Sequence, residues 1–321
     1  MPQLLAPGQP HTFDLANGPL FKVTLAKVTR DEHVLLFSAH ALLADYSSLV
    51  LLCQELMTLY SQAVTGQCAE LSELTLCSAD YAHWQRQYLQ GASLEVQQAY
   101  WQQQLAGASL SLHLPFETQQ SANKALHQFD STFELDRRLV QQAQTFCTRQ
   151  SVELPELLFT IFALLLGQYT GQTDILPGFL SSPRFPELAP LVGVFANLLP
   201  IRVQLAENLT GQSLLSQVRQ TLLAATNHRE LPLAQLVAAV YPDHDLTRVP
   251  FVQASLAFHH HPSFQGLPAG LSACYLPLPS SLSLQDLIMQ FHTSEQNLHL
   301  TVTYNSDLFS SARIAHFQQH Y

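Results

Sequence analysis

The segment SAHALLADYSS (residues 38–48) places an imidazole, a carboxylate and several hydroxyls between the apolar run HVLLF and the run LVLLCQELMTLY. A neutral His40 within hydrogen-bond reach of an amine could accept its proton or orient it, and Asp45 could hold an ion pair or accept from backbone amides. The same two residues also fit a plainer reading, a loop histidine and an acidic residue at a helix start, where a carboxylate complements the helix dipole. Ser47 or Ser48 is available as the N-cap of that helix. Ala41, directly after His40, offers only a methyl group, which neither donates nor accepts a hydrogen bond. A second histidine group, His259 to His261, would put His259 and His261 on one face of a strand. No third ligand stands at useful spacing, so no metal site is assigned there.

The loop is positioned by the elements around it. LFKVTLAKV (20–28) alternates apolar and polar residues, TRDE supplies a turn, and HVLLFSAH (33–40) reads as a more apolar partner strand, so the two form a hairpin with its second strand buried. Leu49, Leu52, Leu56, Leu59 and Tyr60 then recur at helical steps. Two Gln-rich helices follow around SADYAHWQRQYLQ and EVQQAYWQQQLAG, and the polar stretch ETQQSANKALH (117–127) marks a boundary near residue 120. Beyond it FDSTFEL reads as a strand and DRRLVQQAQTFCTRQ as a helix. ELPELLFTIFALLLGQYTG begins a long buried helix with Pro155 in its first turn and Gly171 at its stop. DILPGFL and NLLPIRVQL read as strands, SLLSQVRQTLLAATNH and PLAQLVAAV as helices. FVQASLAFHH, LIMQFHTS and LHLTVTYN read as strands before a terminal helix SARIAHFQQHY. Helices and strands mix without a regular repeat, which predicts an α/β class with mixed sheets.

The chain has 321 residues, 47% hydrophobic and 12% charged, enough to bury a sizeable core and to favour two compact units. Its 24 acidic residues outnumber 14 basic ones, and no Lys/Arg cluster forms a phosphate-binding stripe, so nucleic acid is not an expected partner. Cys53, Cys68, Cys77, Cys147 and Cys274 are odd in number and scattered, which suits buried thiols in a reducing compartment. MPQLLAPGQPHTFD lacks the pattern of a signal peptide, and LLFTIFALLLG (157–167) is too short to span a membrane. A cytoplasmic protein with no membrane partner is the expectation.

Taken together, EHVLLFSAHALLADYSSLVLLCQEL resembles the active-site segment of nonribosomal peptide synthetase condensation domains, whose signature is HHxxxDG followed closely by Ser. Further stretches match in the same order. DYAHWQR (80–86) resembles Tyr-x-x-Trp-x-Arg, AYWQQQLAGA (99–108) resembles YWxxxLxGA, and VGVFANLLPIR (192–202) resembles IGxFVNTxxxR. HRELPLAQL (228–236) resembles HQDxPFExL, HDLTRVPFVQ (244–253) resembles RDxSRxPLFQ, and YNSDLF (304–309) also fits. The resemblance runs from about residue 13 to the end of the chain.

It implies two chloramphenicol-acetyltransferase-like lobes with mixed sheets in a V-shaped pseudo-dimer, residues 1–120 forming a partial N-terminal lobe and 121–321 the C-terminal lobe. FDLANGPLFKVTL matches a mid-lobe segment, so the first lobe is expected to be incomplete, with the hairpin lacking neighbours. The implied reaction joins a donor acyl or peptidyl thioester to the amine of an acceptor aminoacyl thioester. Both are delivered on the 4'-phosphopantetheine arms of carrier proteins, and the domain itself needs no metal or nucleotide cofactor. Neighbouring adenylation domains, and in some inactive family members a recruited tailoring enzyme, are the further partners implied.

Carried onto this chain, the catalytic second His of HHxxxDG falls on Ala41. His40 falls on the first, mainly structural His, and Asp45 on the motif Asp, which the family pairs with an Arg of the other lobe, here Arg184 in SSPRFPEL. Tyr46 stands where the family has Gly, which permits positive φ and leaves space near the reacting centre. Ser48 fits the downstream Ser, and Asn197 the structural Asn of FVNT. The expectation is a condensation-type domain impaired in amide formation. The alternatives are an active condensation domain, or a free-standing acyltransferase, using His40.

Overall fold

The computed structural model describes residues 13–68, 70–115, 128–182, 184–242, 251–261, 264, 267–274, 285–293 and 297–321. The stretch expected as a boundary, 117–127, and residues 244–250 of HDLTRVPFVQ lie outside them. The chain divides into two compact units, one of Met1–Trp84, Ser182–Ala196 and His261–Ser281, the other of Gln85–Ser181, Asn197–His260 and Leu282–Tyr321. Neither is continuous in sequence.

The first unit opens with β1 (Phe21–Lys27) and β2 (His33–Ala39), an antiparallel hairpin with Phe21 opposite Ala39 and Lys27 opposite His33. It continues into α1 (Tyr46–Val64) and the start of α2 (Ser78–Tyr88). The expected N-cap moves here. Helix α1 begins one residue before Ser47, and the capping group is Asp45, whose carboxylate accepts from the Ser48 amide at 2.9 Å. A carboxylate is the stronger acceptor at a positive helix end, and it leaves the Ser48 hydroxyl for other work.

The second unit contains α3 (Gly91–Leu105), β3 (Gln128–Glu134), α4 (Arg137–Gln150), α5 (Leu154–Thr170), β4 (Asp174–Ile175), β5 (Gly178–Ser181), β6 (Asn197–Pro200), β7 (Val203–Gln204), α6 (Gly211–Asn227), α7 (Leu233–Val240), β8 (Ala254–His260), β9 (Leu287–Thr293), β10 (Leu298–Asn305) and α8 (Ser311–His320). Six strands form one sheet in the order β3-β10-β9-β8-β5-β6, parallel at β9-β8 and β8-β5 and antiparallel elsewhere. The mixed α/β class expected from the sequence is the class observed. DILPGFL and NLLPIRVQL each divide into two short strands, with Pro177 between β4 and β5 and Pro200 closing β6, because proline cannot donate to a ladder.

Packing follows the period-two pattern. Leu256, Met289, Phe291, Leu300 and Val302 point to one face and are buried in one cluster with Phe159, Phe162 and Leu166 of α5 and Val218 of α6. Helix α5 starts as expected with a proline in its first turn, a reciprocal Glu153/Glu156 capping box, and Gly171 at φ 67° as its stop. Residues 85–114 precede the expected boundary yet belong to this unit, because Trp101 and Leu105 of α3 are fully buried in its core and the Trp101 indole donates to the His228 carbonyl at 3.0 Å. No single helix among the described residues is long and apolar enough to cross a membrane.

The opposite face of the sheet is polar. Thr132 and Thr301 hydroxyls meet at 3.0 Å, and Gln290 donates to Thr303 at 3.2 Å. His259 of β8 stacks on His292 of β9 with ring centroids 5.2 Å apart, so its ring packs on a sheet neighbour. Among the described residues no group of three or more ligands could hold a metal ion.

Asp130, on this face of β3, has a carboxyl held above its usual range by burial, partly opposed by a hydrogen bond from Thr303, and its Oδ2 finds no donor among the described residues. A raised folded-state pKa means the native state binds more protons than the unfolded chain, so this group costs stability as pH rises through that range. Asp130→Asn is therefore expected to raise stability at pH 7 by about a few tenths of a kcal/mol, a small gain because the group is partly solvated. Denaturant unfolding at pH 7 and pH 4 checks it, since the gain should shrink at the lower pH.

Candidate functional site

The site grows from the end of β2. The His40 amide still donates to the Leu20 carbonyl at 2.9 Å, and the chain then turns, with the Leu43 amide donating to the His40 carbonyl at 2.8 Å. Inside this turn the Leu42 amide donates to His40 Nδ1 at 3.1 Å. A neutral imidazole accepting at Nδ1 carries its hydrogen on Nε2, so its one ring lone pair faces the Leu42 amide. Phe13 meets the ring edge-on at 6.1 Å. Ala41 is exposed, and Leu42 beside it is 71% exposed.

Four residues further on, the loop is pinned. Asp45, with a side chain only 6% exposed, forms an ion pair with Arg184 at 2.8 Å. Its Oδ1 also accepts from the Ser48 amide and hydroxyl, and its Oδ2 from the Phe195 amide at 3.0 Å and from Ser182 at 3.5 Å. Its own amide donates to the Gly193 carbonyl at 3.0 Å.

Ser48 is fully buried and sits at the centre of the node. It accepts from the Gly193 amide at 3.0 Å and from Arg184 Nη2 at 2.8 Å, while its single hydroxyl hydrogen faces the Gly193 carbonyl at 2.7 Å and Asp45 Oδ1 at 2.8 Å. Arg184 completes the arrangement from the other side. Its Nη1 donates to the Leu188 and Leu191 carbonyls, and its guanidinium lies 4.8 Å over the Phe195 ring. Phe195, Leu188 and Leu191 form a small buried cluster with Tyr81 packed against it, the Tyr81 ring meeting Phe195 edge-on at 5.0 Å.

Asp45, Ser48 and Arg184 are thus brought together. Arg184, which the resemblance assigns to the other lobe, lies in the same compact unit as the loop, because Ser182–Ala196 groups with the hairpin. His40 and Ala41 are on the loop but outside this network. Asn197 belongs to the second unit, where its amide donates to the Arg229 and Leu231 carbonyls at 2.8 Å and its carbonyl accepts from the Leu233 amide, fastening β6 to the start of α7. Tyr46 is the first residue of α1, and Ser151 is the only non-glycine at positive φ among the described residues. The backbone at position 46 therefore does not call for glycine, and only the added bulk of the Tyr ring distinguishes it.

Gly193 and Phe195 stand on motif positions of VGVFANLLPIR but the sequence assigns them no role, and it does not single out Ser182. Gly193 and Ser182 contribute through backbone atoms and a small hydroxyl, and the motif match of Gly193 and Phe195 does not say what either holds. A Cβ at Gly193 would lie 2.9 Å from the Phe195 ring and from Ser78 Cβ. Gly193→Ala is expected to push that ring away from Arg184 and cost about 1–3 kcal/mol, as overpacking does. Thermal unfolding followed at Trp84 measures it, and an unchanged midpoint would remove Gly193 from the node.

Chemically, this is an arrangement for holding a loop. The Asp45 carboxylate is surrounded by donors, and both terminal nitrogens of Arg184 are taken up by acceptors, so the pair is committed to the node. The position from which a side chain could reach outward carries a methyl.

A family model described as Condensation domain matches residues 3–321. A linear gramicidin synthase of Brevibacillus parabrevis is 31% identical over 312 residues, 96% of this chain and 6% of that protein. Malpinin synthetase of Mortierella alpina is 30% identical over 304 residues, 94% of this chain and 4% of that protein. This chain therefore spans only a small part of the length of the curated relatives it matches. Among solved structures, the complex of the X-domain and OxyB from teicoplanin biosynthesis superposes with a TM-score of 0.81 at 24% identity, covering 99% of this chain and 72% of that one, which shows the same chloramphenicol-acetyltransferase-like fold. With the family model matching residues 3–321 and a linear gramicidin synthase 31% identical over nearly the whole chain, the chain belongs to the condensation-domain family of nonribosomal peptide synthetases.

Proposed function

We propose that this condensation-type domain is impaired in amide bond formation and serves its synthetase as a scaffold, docking carrier proteins or recruiting a second enzyme. The observation that carries the reading is Ala41, an exposed methyl four residues before a firmly anchored Asp45. Condensation requires the acceptor ammonium to lose a proton and its nitrogen to attack the donor thioester carbonyl, expelling the pantetheine thiolate. A positioned imidazole supplies about 10²–10⁴ of such a rate. Ala41 cannot supply it, and His40 has its Nδ1 lone pair engaged by the Leu42 amide. The anchoring groups are all present, so the loop keeps its shape without its reacting group.

In this reading the substrates arrive on 4'-phosphopantetheine of donor and acceptor carrier proteins, next to adenylation domains, in the cytoplasm, and the domain binds no cofactor of its own. The X-domain, solved in a complex with OxyB, is a protein of the same fold that assembles with a partner, which supports the recruiting role.

The test incubates the domain with donor and acceptor carrier proteins loaded with matched substrates and follows dipeptidyl product by mass spectrometry. Product at the rate of a no-enzyme control is expected. Product well above that rate, lost in His40→Ala, would replace this reading with an active domain using His40.

A further inference from the structure

A glutamate and three histidines stand in one row across the six-stranded sheet. In the strand register Glu134 of β3 lies opposite His299 of β10, His299 opposite His292 of β9, and His292 beside His259 of β8. Alternation along each strand puts all four side chains on the polar face, away from the cluster that packs on α5 and α6. The row deepens from the edge inward: Glu134 is exposed and His299 partly buried, while His292 and His259 are only 3% and 9% exposed. The two inner rings are stacked, 5.2 Å between centroids and 29° between planes. Rings so arranged do not aim their nitrogens at one point, and no group of three or more ligands among the described residues could hold a metal ion. The chemistry of the row is acid–base chemistry.

We propose that this row is an acid-sensitive latch: it takes one proton at His299, beside Glu134, and a further proton on the stacked His292 and His259 forces the carboxyl ends of β8 and β9 apart. A charge on His299 is met by the opposite charge of its cross-strand neighbour Glu134. Charging both inner rings would set like charges 5.2 Å apart where little water screens them. The other titratable groups on this face, among the described residues, are Asp130, four residues along β3, and His261, two beyond His259. Strands β5 (GFLS) and β6 (NLLP) bring none. The unfolded chain, whose histidines protonate near pH ~6.5, binds the proton that the folded stack excludes. Stability is therefore full above that pH and falls as pH drops below it, the folding constant by about tenfold per pH unit for each excluded proton. The latch sits one residue before β8 ends at His260, where the chain passes from the second unit to the first. The inference concerns the second unit alone and is independent of the reading of Ala41.

Denaturant unfolding of a variant that keeps Trp101 as its single tryptophan reads the second unit across this range. Between about pH 6.5 and pH 5 the folding constant is expected to fall by about tenfold per unit. His292→Gln is expected to lose most of that fall, as is His259→Gln if the first variant does not fold, because the ring that remains has no charged twin. His316→Gln, on the exposed side of α8, should leave the fall unchanged. The folded parent gives a second reading that needs no stable variant. Its ring-proton resonances, followed by NMR, are expected to show His299 taking a proton while at least one of His259 and His292 stays neutral down to about pH 5. Both inner rings titrating near pH ~6.5 in the folded protein would overturn the proposal. So would a fall that persists in His292→Gln and His259→Gln, or one that His316→Gln removes equally.

Discussion

Arg184→Met is expected to cost the first unit about 3–5 kcal/mol, the penalty of removing one partner from a buried pair and leaving the other charge in place. Asp45 is nearly buried and would keep its amide donors at Ser48 and Phe195, but would lose the guanidinium that balances its charge. The Leu188 and Leu191 carbonyls would also lose the donor that holds them. Arg184→Lys should recover little, since one ammonium cannot reproduce a planar fork that bridges a carboxylate, a hydroxyl and two carbonyls. Removing both charges should not restore stability, because Asp45 is also the N-cap of α1. A double-mutant cycle of Asp45→Ala and Arg184→Ala should return a coupling of about 2–3 kcal/mol.

The two tryptophans make this measurable. Trp84 lies in the first unit and Trp101 in the core of the second, so single-tryptophan variants report the two separately. Loss confined to the Trp84 signal is expected. If Arg184→Met unfolds at the same denaturant concentration as the parent, the pair is not what anchors the loop.

Local pattern makes the elements legible, and long-range chemistry escapes it. The Pro155 start and Gly171 stop of α5 follow from propensity and capping alone, as does the alternation in β1. The break at Pro177 is readable by the same rule, that proline withdraws a ladder donor. The node is another matter. Asp45 and Arg184 are 139 residues apart, and nothing in their spacing joins them; only likeness to a family suggests the pair. Ser48 reads as a cap because serine at a helix start usually is one. Its actual role depends on Gly193, whose amide and carbonyl are backbone groups that most residues would carry. The anchoring of the loop is therefore written mostly in atoms that the sequence does not distinguish. The group proposed to be missing, at Ala41, is a side chain, and a side chain is what a sequence displays.

Ala41→His is expected to bring back condensation if that side chain is all the loop lacks. Both ends of the turn are fixed, by the His40 amide on Leu20 and the Asp45 amide on Gly193, so a new imidazole at 41 would project from a backbone already held in place. The site is exposed and can take the ring without displacing a neighbour. Its Nε2 and Nδ1 would both be free of the Leu42 amide, which is bound to His40, so the new ring retains a lone pair for the acceptor ammonium. Pairing it with Tyr46→Gly removes bulk at the loop's end at some cost to the first turn of α1, where glycine is a poorer helix former by about 1 kcal/mol. The double variant in the natural synthetase, with matched loaded carriers, should form dipeptide about 10²–10⁴ times faster than the parent. Adding His40→Ala to it should leave most of that gain, because in this variant His40 orients the turn and does not take the proton. A correctly folded variant that still matches the no-enzyme control would place the impairment outside the loop, in the path by which the substrates reach it.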